Sequence, residues 1–139
     1  MRLEFWGERV AAVLPPKRVL VVEDNLDTGQ SFARLLQLMG HEAEFISDPL
    51  QVMDTARRFK PEVVFLDIGL PVVDGYELAR NLRGEFGFDN LRIVAITAYN
   101  TEQDRARSRQ SGFDAHVGKP ADLAVIESIL RTIFDTPRF

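Results

Sequence analysis

The sequence predicts a doubly wound α/β domain, in which helices cover both faces of a five-stranded parallel sheet. Two observations support this fold class. Short apolar runs of strand length alternate with segments whose apolar residues recur at helical spacing. The runs are apolar throughout, which is typical of parallel strands that are buried on both faces. Strands that alternate with helices pair in parallel through right-handed crossovers.

The first half of the chain supplies three strands and two helices. The first helix carries apolar residues at helical spacing and ends at Gly40, since glycine favours helix C-termini. Asp48-Pro49 then combines an N-cap side chain with proline at the first helical position, and Pro61 ends this second helix. The three strands are predicted at residues 19–22, 43–46 and 63–66.

The second half supplies the remaining elements. Asp74, with Glu77 three residues later, predicts a capping box that opens a third helix ending at Gly84. Two more strands are predicted at residues 93–96 and 115–117. The last helix is the most clearly amphipathic, with Leu123, Ile126, Leu130 and Ile133 at helical spacing.

The fourth helix, between Asn100 and Gly112, differs from the others because Ala106 is its single apolar residue. A helix that is polar all round gains little from packing, so we expect it to be held less firmly. A solvent-exposed helix without a special role explains it equally well.

Composition excludes several classes of protein. The 139 residues favour one domain, and a net charge of −4 without a block of like charges argues against nucleic acid and membrane surfaces as partners. The absence of cysteine excludes disulfides, zinc thiolate sites and thiol nucleophiles. No apolar run approaches the roughly 20 residues that span a bilayer. The expected location is the cytoplasm.

Polar residues follow four of the predicted strands. Glu23-Asp24 ends the first strand, Asp67 the third and Thr97 the fourth, while Lys119-Pro120 follows the fifth. Ligands of open α/β sheets bind beyond the carboxyl ends of the strands, so these side chains are expected to converge. Each has a simpler explanation when taken alone, such as a helix cap or an exposed charge. Their joint placement favours a functional site.

The expected chemistry is phosphoryl transfer to a carboxylate. Clustered carboxylates repel one another, and a hard divalent cation such as Mg²⁺ relieves that repulsion because it prefers oxygen ligands. Lys119 adds a positive charge, and Thr97 offers a hydroxyl donor. Such a site suits a phosphoryl group that is attacked by a carboxylate nucleophile.

Four segments resemble the receiver domain of bacterial two-component response regulators: VLVVEDN, VVFLDIGLPVVDGYELAR, IVAITA and HVGKP. The resemblance covers roughly residues 18 to 134. It implies the CheY-like, flavodoxin-like fold with strand order 2-1-3-4-5. It also implies a phosphorelay protein that catalyses only its own phosphorylation and dephosphorylation, rather than an enzyme with a separate substrate.

The resemblance assigns a role to each strand-end residue. Asp67 is implied as the phosphoacceptor, taking its phosphoryl group from a phosphohistidine on a histidine kinase or a histidine phosphotransfer protein. Thr97 is the implied switch hydroxyl, and Lys119 the lysine that pairs with the phosphoryl oxygens across a cis Lys119-Pro120 bond. The implied ligands of Mg²⁺, or Mn²⁺, are Glu23, Asp24, Asp67 and the backbone carbonyl of Gly69.

Glu23 and His116 depart from the family pattern, and Tyr99 occupies a position that varies in function within the family. The acidic pair of the family is more often Asp-Asp, whereas Glu23 leads it here, perturbing ion affinity or acting through a metal-bound water. His116 stands where the family usually has a rotating Tyr or Phe, so it is either a titratable switch or a structural histidine. Tyr99 lies two residues after Thr97, at a position where family members tune the access of water to the acyl phosphate.

We divide the chain into an N-terminal extension, residues 1–16, and a receiver domain, residues 17–139. Helical spacing of Leu3, Trp6, Val10 and Val13 predicts an amphipathic arm, whereas Leu3 and Phe5 alone favour a strand. Such an arm would pack on its own domain or on a second copy in a homodimer. It is equally explained as a remnant of vector sequence or of an upstream domain.

Other functions fit the sequence less well. A pseudo-receiver that works without phosphorylation is disfavoured by the intact Asp67, Thr97 and Lys119. Phosphatases with an aspartate nucleophile need a second acid where this chain has Gly69, and the P-loop motif is missing. A DNA-binding regulator needs an effector domain for which the chain has no room. The expected output is therefore binding to a downstream protein, by a stand-alone regulator or by the receiver of a hybrid histidine kinase.

Overall fold

Five parallel strands form one sheet in the computed structural model, which describes residues 15–87 and 90–135. The strands are β1 (Arg18–Val22), β2 (Glu42–Ile46), β3 (Val63–Leu66), β4 (Arg92–Thr97) and β5 (Ala115–Gly118). The helices are α1 (Leu26–Leu38), α2 (Val52–Phe59), α3 (Gly75–Phe86), α4 (Glu102–Gln110) and α5 (Leu123–Asp135). The order is β2-β1-β3-β4-β5, so the predicted fold class and topology are confirmed.

Separate hydrophobic cores lie on the two faces of the sheet. One core packs α2 and α3 against the strands, and the other packs α1 and α5. Every residue of β3 is buried, because this strand is central and has a helical layer on each side. The sheet is therefore a rigid support for whatever follows the end of β3.

The helix boundaries agree with most of the sequence signals. Gly40 follows α1 with a φ of 100°, a conformation that glycine adopts without steric cost. Asp48 caps a 3₁₀ turn (Pro49–Gln51) by accepting from the backbone N–H of Leu50, and α2 continues from that turn.

Two details of the prediction for α3 are wrong. The helix continues past Gly84 to Phe86, because Gly87 ends it with a φ of 74° and Arg83 bonds the Gly87 carbonyl. Asp74 does cap the helix, but it accepts from the N–H of Tyr76 rather than forming a capping box with Glu77. The capping box lies at α4 instead, between Thr101 and Asp104.

The predicted arm within residues 1–16 lies almost wholly outside the described part of the chain, and the domain boundary at residue 17 stays a prediction. Within the residues that the structure describes, no helix combines the length and apolar character needed to cross a membrane.

Candidate functional site

Three carboxylates meet at the carboxyl edge of the sheet. Because β1 and β3 are paired neighbours, the residues that follow them lie side by side. One oxygen each of Glu23, Asp24 and Asp67 lies within 4.8 Å of the others. Glu23 and Asp67 are 4% and 6% exposed, whereas Asp24 is exposed to solvent. Two of the three acids are therefore buried.

Lys119 supplies the compensating positive charge from the end of β5. Its Nζ donates to Asp67 Oδ2 at 2.9 Å and also to Glu23 Oε1. Burial alone would lower the pKa of Lys119, but its bonds to the two carboxylates raise that pKa above its usual value. Burial raises the pKa of Glu23, and the bond to Lys119 offsets part of that rise. The side chain of Lys119 is therefore a protonated ammonium group bonded to two carboxylates.

The Lys119-Pro120 peptide bond is cis, as the family resemblance implied. The backbone N–H of Lys119 donates to the carbonyl oxygen of Thr97 at 2.8 Å, which continues the pairing of β5 with β4. This backbone contact fixes the position from which the lysine side chain reaches the carboxylates.

The loop that follows Asp67 is held close to its carboxylate. The N–H of Gly69 donates to Asp67 Oδ1 at 2.8 Å. A Cβ added at Gly75 would lie 2.5 Å from the Cα of Ile68, so glycine is required where α3 begins. Between them, Val72 has a φ of 74° and the N–H of Val73 bonds the carbonyl of Pro71. The loop is thus a tight γ-turn segment with strain at Val72.

Thr97 and Tyr99 line the other side of the site. Thr97 is fully buried, and its Oγ1 accepts from the N–H of Tyr99 at 3.1 Å. The Tyr99 ring lies over Gly69, where a Cβ would be 2.8 Å from a ring carbon. Since Tyr99 is 58% exposed, its ring covers the loop after Asp67 from the solvent side.

His116 joins the loop after β4 to helix α4. Its Nε2 lies 2.9 Å from the carbonyl oxygen of Tyr99, and its Nδ1 lies 2.7 Å from Ser108 Oγ. A carbonyl can only accept, so Nε2 carries a proton, and in the neutral ring Nδ1 accepts from the Ser108 hydroxyl. Burial lowers the pKa of His116, against the opposing effect of the Tyr99 carbonyl, and thereby favours the neutral ring.

Two contributors were missed by sequence reasoning. Ser108 is 1% exposed and bonds His116, although its helix is otherwise polar and solvent-facing. The backbone N–H of Asn25 donates to Glu23 Oε2 at 3.1 Å, while the side chain of Asn25 caps α1. The Ser108 contact depends on the packing of α4 beside β5, and the Asn25 contact depends on the conformation of the turn after β1, which no motif in the sequence marks.

A cleft of about 760 Å³ adjoins the carboxylates between α1 and α5. Asp67 and Lys119 contribute to its polar end, and the apolar remainder includes Phe32, Leu35 and Ile126. Glu23, Asp24 and Asp67 all line it, and their carboxylate oxygens are of the type that hard divalent cations prefer. The cluster is therefore a site that could hold a metal ion.

Known proteins share both the sequence pattern and the architecture. The response regulator receiver domain family matches residues 19–131. The polar-differentiation response regulator DivK of Brucella anthropi is 33% identical over 105 residues, or 76% of this chain and 85% of DivK. The BeF3-activated N-terminal receiver domain of Klebsiella pneumoniae RstA is 28% identical with a TM-score of 0.76, covering 83% of this chain and 96% of that chain. A CheY-like receiver domain protein from Methanospirillum hungatei JF-1 shares the fold, with a TM-score of 0.79 at 21% identity over 87% of this chain and 95% of that chain. The chain belongs to the response regulator receiver domain family of two-component signalling.

Proposed function

We propose that Asp67 accepts a phosphoryl group from a phosphohistidine on a histidine kinase or a histidine phosphotransfer protein. An Asp67 carboxylate oxygen bonds to phosphorus while the phosphorus–nitrogen bond of the donor breaks, and the imidazole leaves. The observation that carries the proposal is the contact of Asp67 with Lys119 beside two further carboxylates, in a chain of the receiver family. The proposed role of Lys119 is to pair with the incoming phosphoryl oxygens, which its contact with Asp67 supports.

Mg²⁺ or Mn²⁺ is the proposed cofactor. Asp24, Asp67 and the backbone carbonyl of Gly69 would hold the ion directly, with Glu23 at the edge of the site. The bound ion would offset the negative charge of the acids and of the phosphoryl group. The mutual distance of the three carboxylate oxygens supports this assignment.

Thr97, Tyr99 and His116 are the proposed switch residues. Hydrogen bonds run from Thr97 Oγ1 through the backbone of Tyr99 to His116 and on to Ser108 in α4. If the Thr97 hydroxyl turns toward a phosphoryl oxygen, its hydrogen bond with the N–H of Tyr99 breaks. The hydrogen bonds from Tyr99 to His116 and from His116 to Ser108 would then be disturbed as well. The proposed result is a population shift of the surface formed by α4, β5 and α5.

The proposed output of that surface is binding to a downstream protein in the cytoplasm, with a homodimer as one form of that binding. Net charge gives no support for nucleic acid or membrane partners. The proposal holds equally for a stand-alone regulator and for the receiver of a hybrid histidine kinase.

The test is intact mass after incubation with a small acyl-phosphate donor, with and without Mg²⁺. We expect one phosphoryl adduct that needs Mg²⁺ and is lost in Asp67→Asn. Asp27→Asn is the matched control, since Asp27 is an exposed acid of the same cleft. A protein that forms no Mg²⁺-dependent adduct would instead act as a pseudo-receiver, an interaction module independent of phosphorylation.

A further inference from the structure

Both carboxylate oxygens of Glu23 are engaged. Oε2 accepts from the backbone N–H of Asn25 at 3.1 Å, and Oε1 accepts from Lys119 Nζ. Glu23 is 4% exposed, so little water competes for these bonds. The backbone of Glu23 is fixed as well, because its N–H donates to the carbonyl of Ile46 at 3.2 Å. The carboxylate is thus held at a defined point beside the lysine.

We propose that Glu23 is a positioning residue that holds Lys119 inside the acidic cluster until an ion or a phosphoryl group arrives. The proposal rests on the proposed function above and adds a restraint to it. Lys119 is paired with both Glu23 and Asp67. A cation that binds these carboxylates must therefore compete with the lysine for them. Glu23 therefore sets the affinity of the site for its cation.

The physical reason is electrostatic competition. An ammonium between two buried carboxylates lowers the negative potential that attracts a divalent cation. Holding the lysine there opposes ion binding, and releasing it favours ion binding. Glu23 can hold the lysine because its side chain is long enough to contact it. An aspartate side chain would be shorter by one carbon–carbon bond, about 1.5 Å. With the backbone of residue 23 held by Ile46, we expect an aspartate here to lose the contact with Lys119.

Two substitutions at Glu23 separate the effect of side-chain length from the effect of charge. Glu23→Asp keeps the negative charge but shortens the side chain, so the contact with Lys119 should be lost. Mg²⁺ should then bind at least about threefold more tightly, on the scale of one partly screened ion pair. Glu23→Gln keeps the length and removes the charge, so Mg²⁺ should bind more weakly. Glu62→Asp is the matched control, because Glu62 contacts Lys17 and Arg18 at the opposite edge of the sheet. It should leave Mg²⁺ affinity unchanged in a calorimetric titration.

A second readout follows Lys119 itself. In protein labelled with ¹³C on lysine, the Cε resonance of Lys119, assigned through Lys119→Arg, should shift when Mg²⁺ is added to wild type. In Glu23→Asp without metal, the same resonance should already be shifted part of the way toward its ion-bound position, since the bond to Asp67 remains. A change confined to stability would not produce this pattern.

Wild-type values for Glu23→Asp in both measurements would overturn the positioning role, and so would weaker Mg²⁺ binding by that variant. Failure of the proposed function looks different, since wild type would then form no Mg²⁺-dependent phosphoryl adduct. Even then, the Lys119 resonance of metal-free protein tests whether Glu23 holds the lysine, because the contact between the two side chains exists without the ion.

Discussion

The imidazole of His116 is bonded through Nε2 to the carbonyl oxygen of Tyr99, at 2.9 Å, and this contact links the loop after β4 to β5. The other ring nitrogen bonds Ser108, so a single side chain connects three elements of the domain. The side chains of α4 are almost all polar, and Ser108 is its single buried residue. The histidine is therefore a principal attachment of α4 to the sheet.

His116→Phe should loosen α4. The variant removes two hydrogen bonds and leaves the Ser108 hydroxyl and the Tyr99 carbonyl to find other partners, which costs about 1–3 kcal/mol of unfolding free energy. Ser108→Ala removes one of the two bonds and should cost about 1 kcal/mol. Hydrogen exchange of the α4 amides should be faster in both variants. Unchanged exchange in His116→Phe would contradict this role.

Gly29 and Gly84 are both helical glycines, and they should respond oppositely to alanine. A Cβ at Gly29 would lie 2.0 Å from a ring carbon of Phe45, so Gly29→Ala requires the Phe45 ring or α1 to shift and should destabilise by about 1–3 kcal/mol. Among the residues that the structure describes, none has an atom within 4 Å of a Cβ added at Gly84, so Gly84→Ala should stabilise by about 0.5–1 kcal/mol. Urea denaturation of each variant tests the pair. Equal effects would show that packing against Phe45 is unimportant.

Val72 should be improved by glycine. It has a φ of 74°, which is unfavourable for a β-branched side chain, and it is 90% exposed, so Val72→Gly loses almost no packing. Relief of backbone strain stabilises the folded variant, whereas the greater entropy of glycine in the unfolded chain destabilises it. The expected net stabilisation is about 1 kcal/mol. Val73→Gly is the control and should destabilise, since Val73 packs against the core. A thermal melt in which Val72→Gly unfolds at a lower temperature than wild type would contradict the strain.

Stability should fall on acidification partly through His41. Its Nδ1 accepts from the backbone N–H of Lys17 at 2.9 Å, and burial, together with Lys17, lowers its pKa. The unfolded chain takes up the proton first, so the stabilisation is complete above about pH 6.5 and is lost as pH falls through the lowered folded value.

His41→Asn can keep the acceptor without the titration. The variant should lose less stability than wild type between pH 7.5 and the acid range, measured by urea denaturation at each pH. Equal losses in the two proteins would assign the acid sensitivity to other groups.

The sequence was sufficient for the strands and for the edge of the sheet at which the acids meet. Continuous apolar runs followed by Glu23-Asp24, Asp67, Thr97 or Lys119 identify strand ends, and parallel pairing brings those ends together. The extent of α3 was not predictable in this way. Gly84 is an ordinary stop signal, and the helix passes through it because Arg83 holds its last turn through contacts with Gly87 and with Gly112.

Contacts between distant residues were equally inaccessible. The bond from Ser108 to His116 requires α4 to lie against β5, and the contact from Glu23 to Lys119 joins residues 96 positions apart. From the sequence, His116 and Glu23 could be recognised only as residue types that differ from the family pattern. Their hydrogen-bond partners became known only from the packed domain.

Asp67 is the proposed phosphoacceptor, and every other proposed role in the site depends on it. The most direct measurement is to phosphorylate the chain with a small acyl-phosphate donor and Mg²⁺, reduce the acyl phosphate with borohydride, and map the modified residue by peptide mass spectrometry. We expect modification of Asp67 alone. Modification of Glu23, Asp24 or another side chain in place of Asp67, or no modification at any residue, would contradict it.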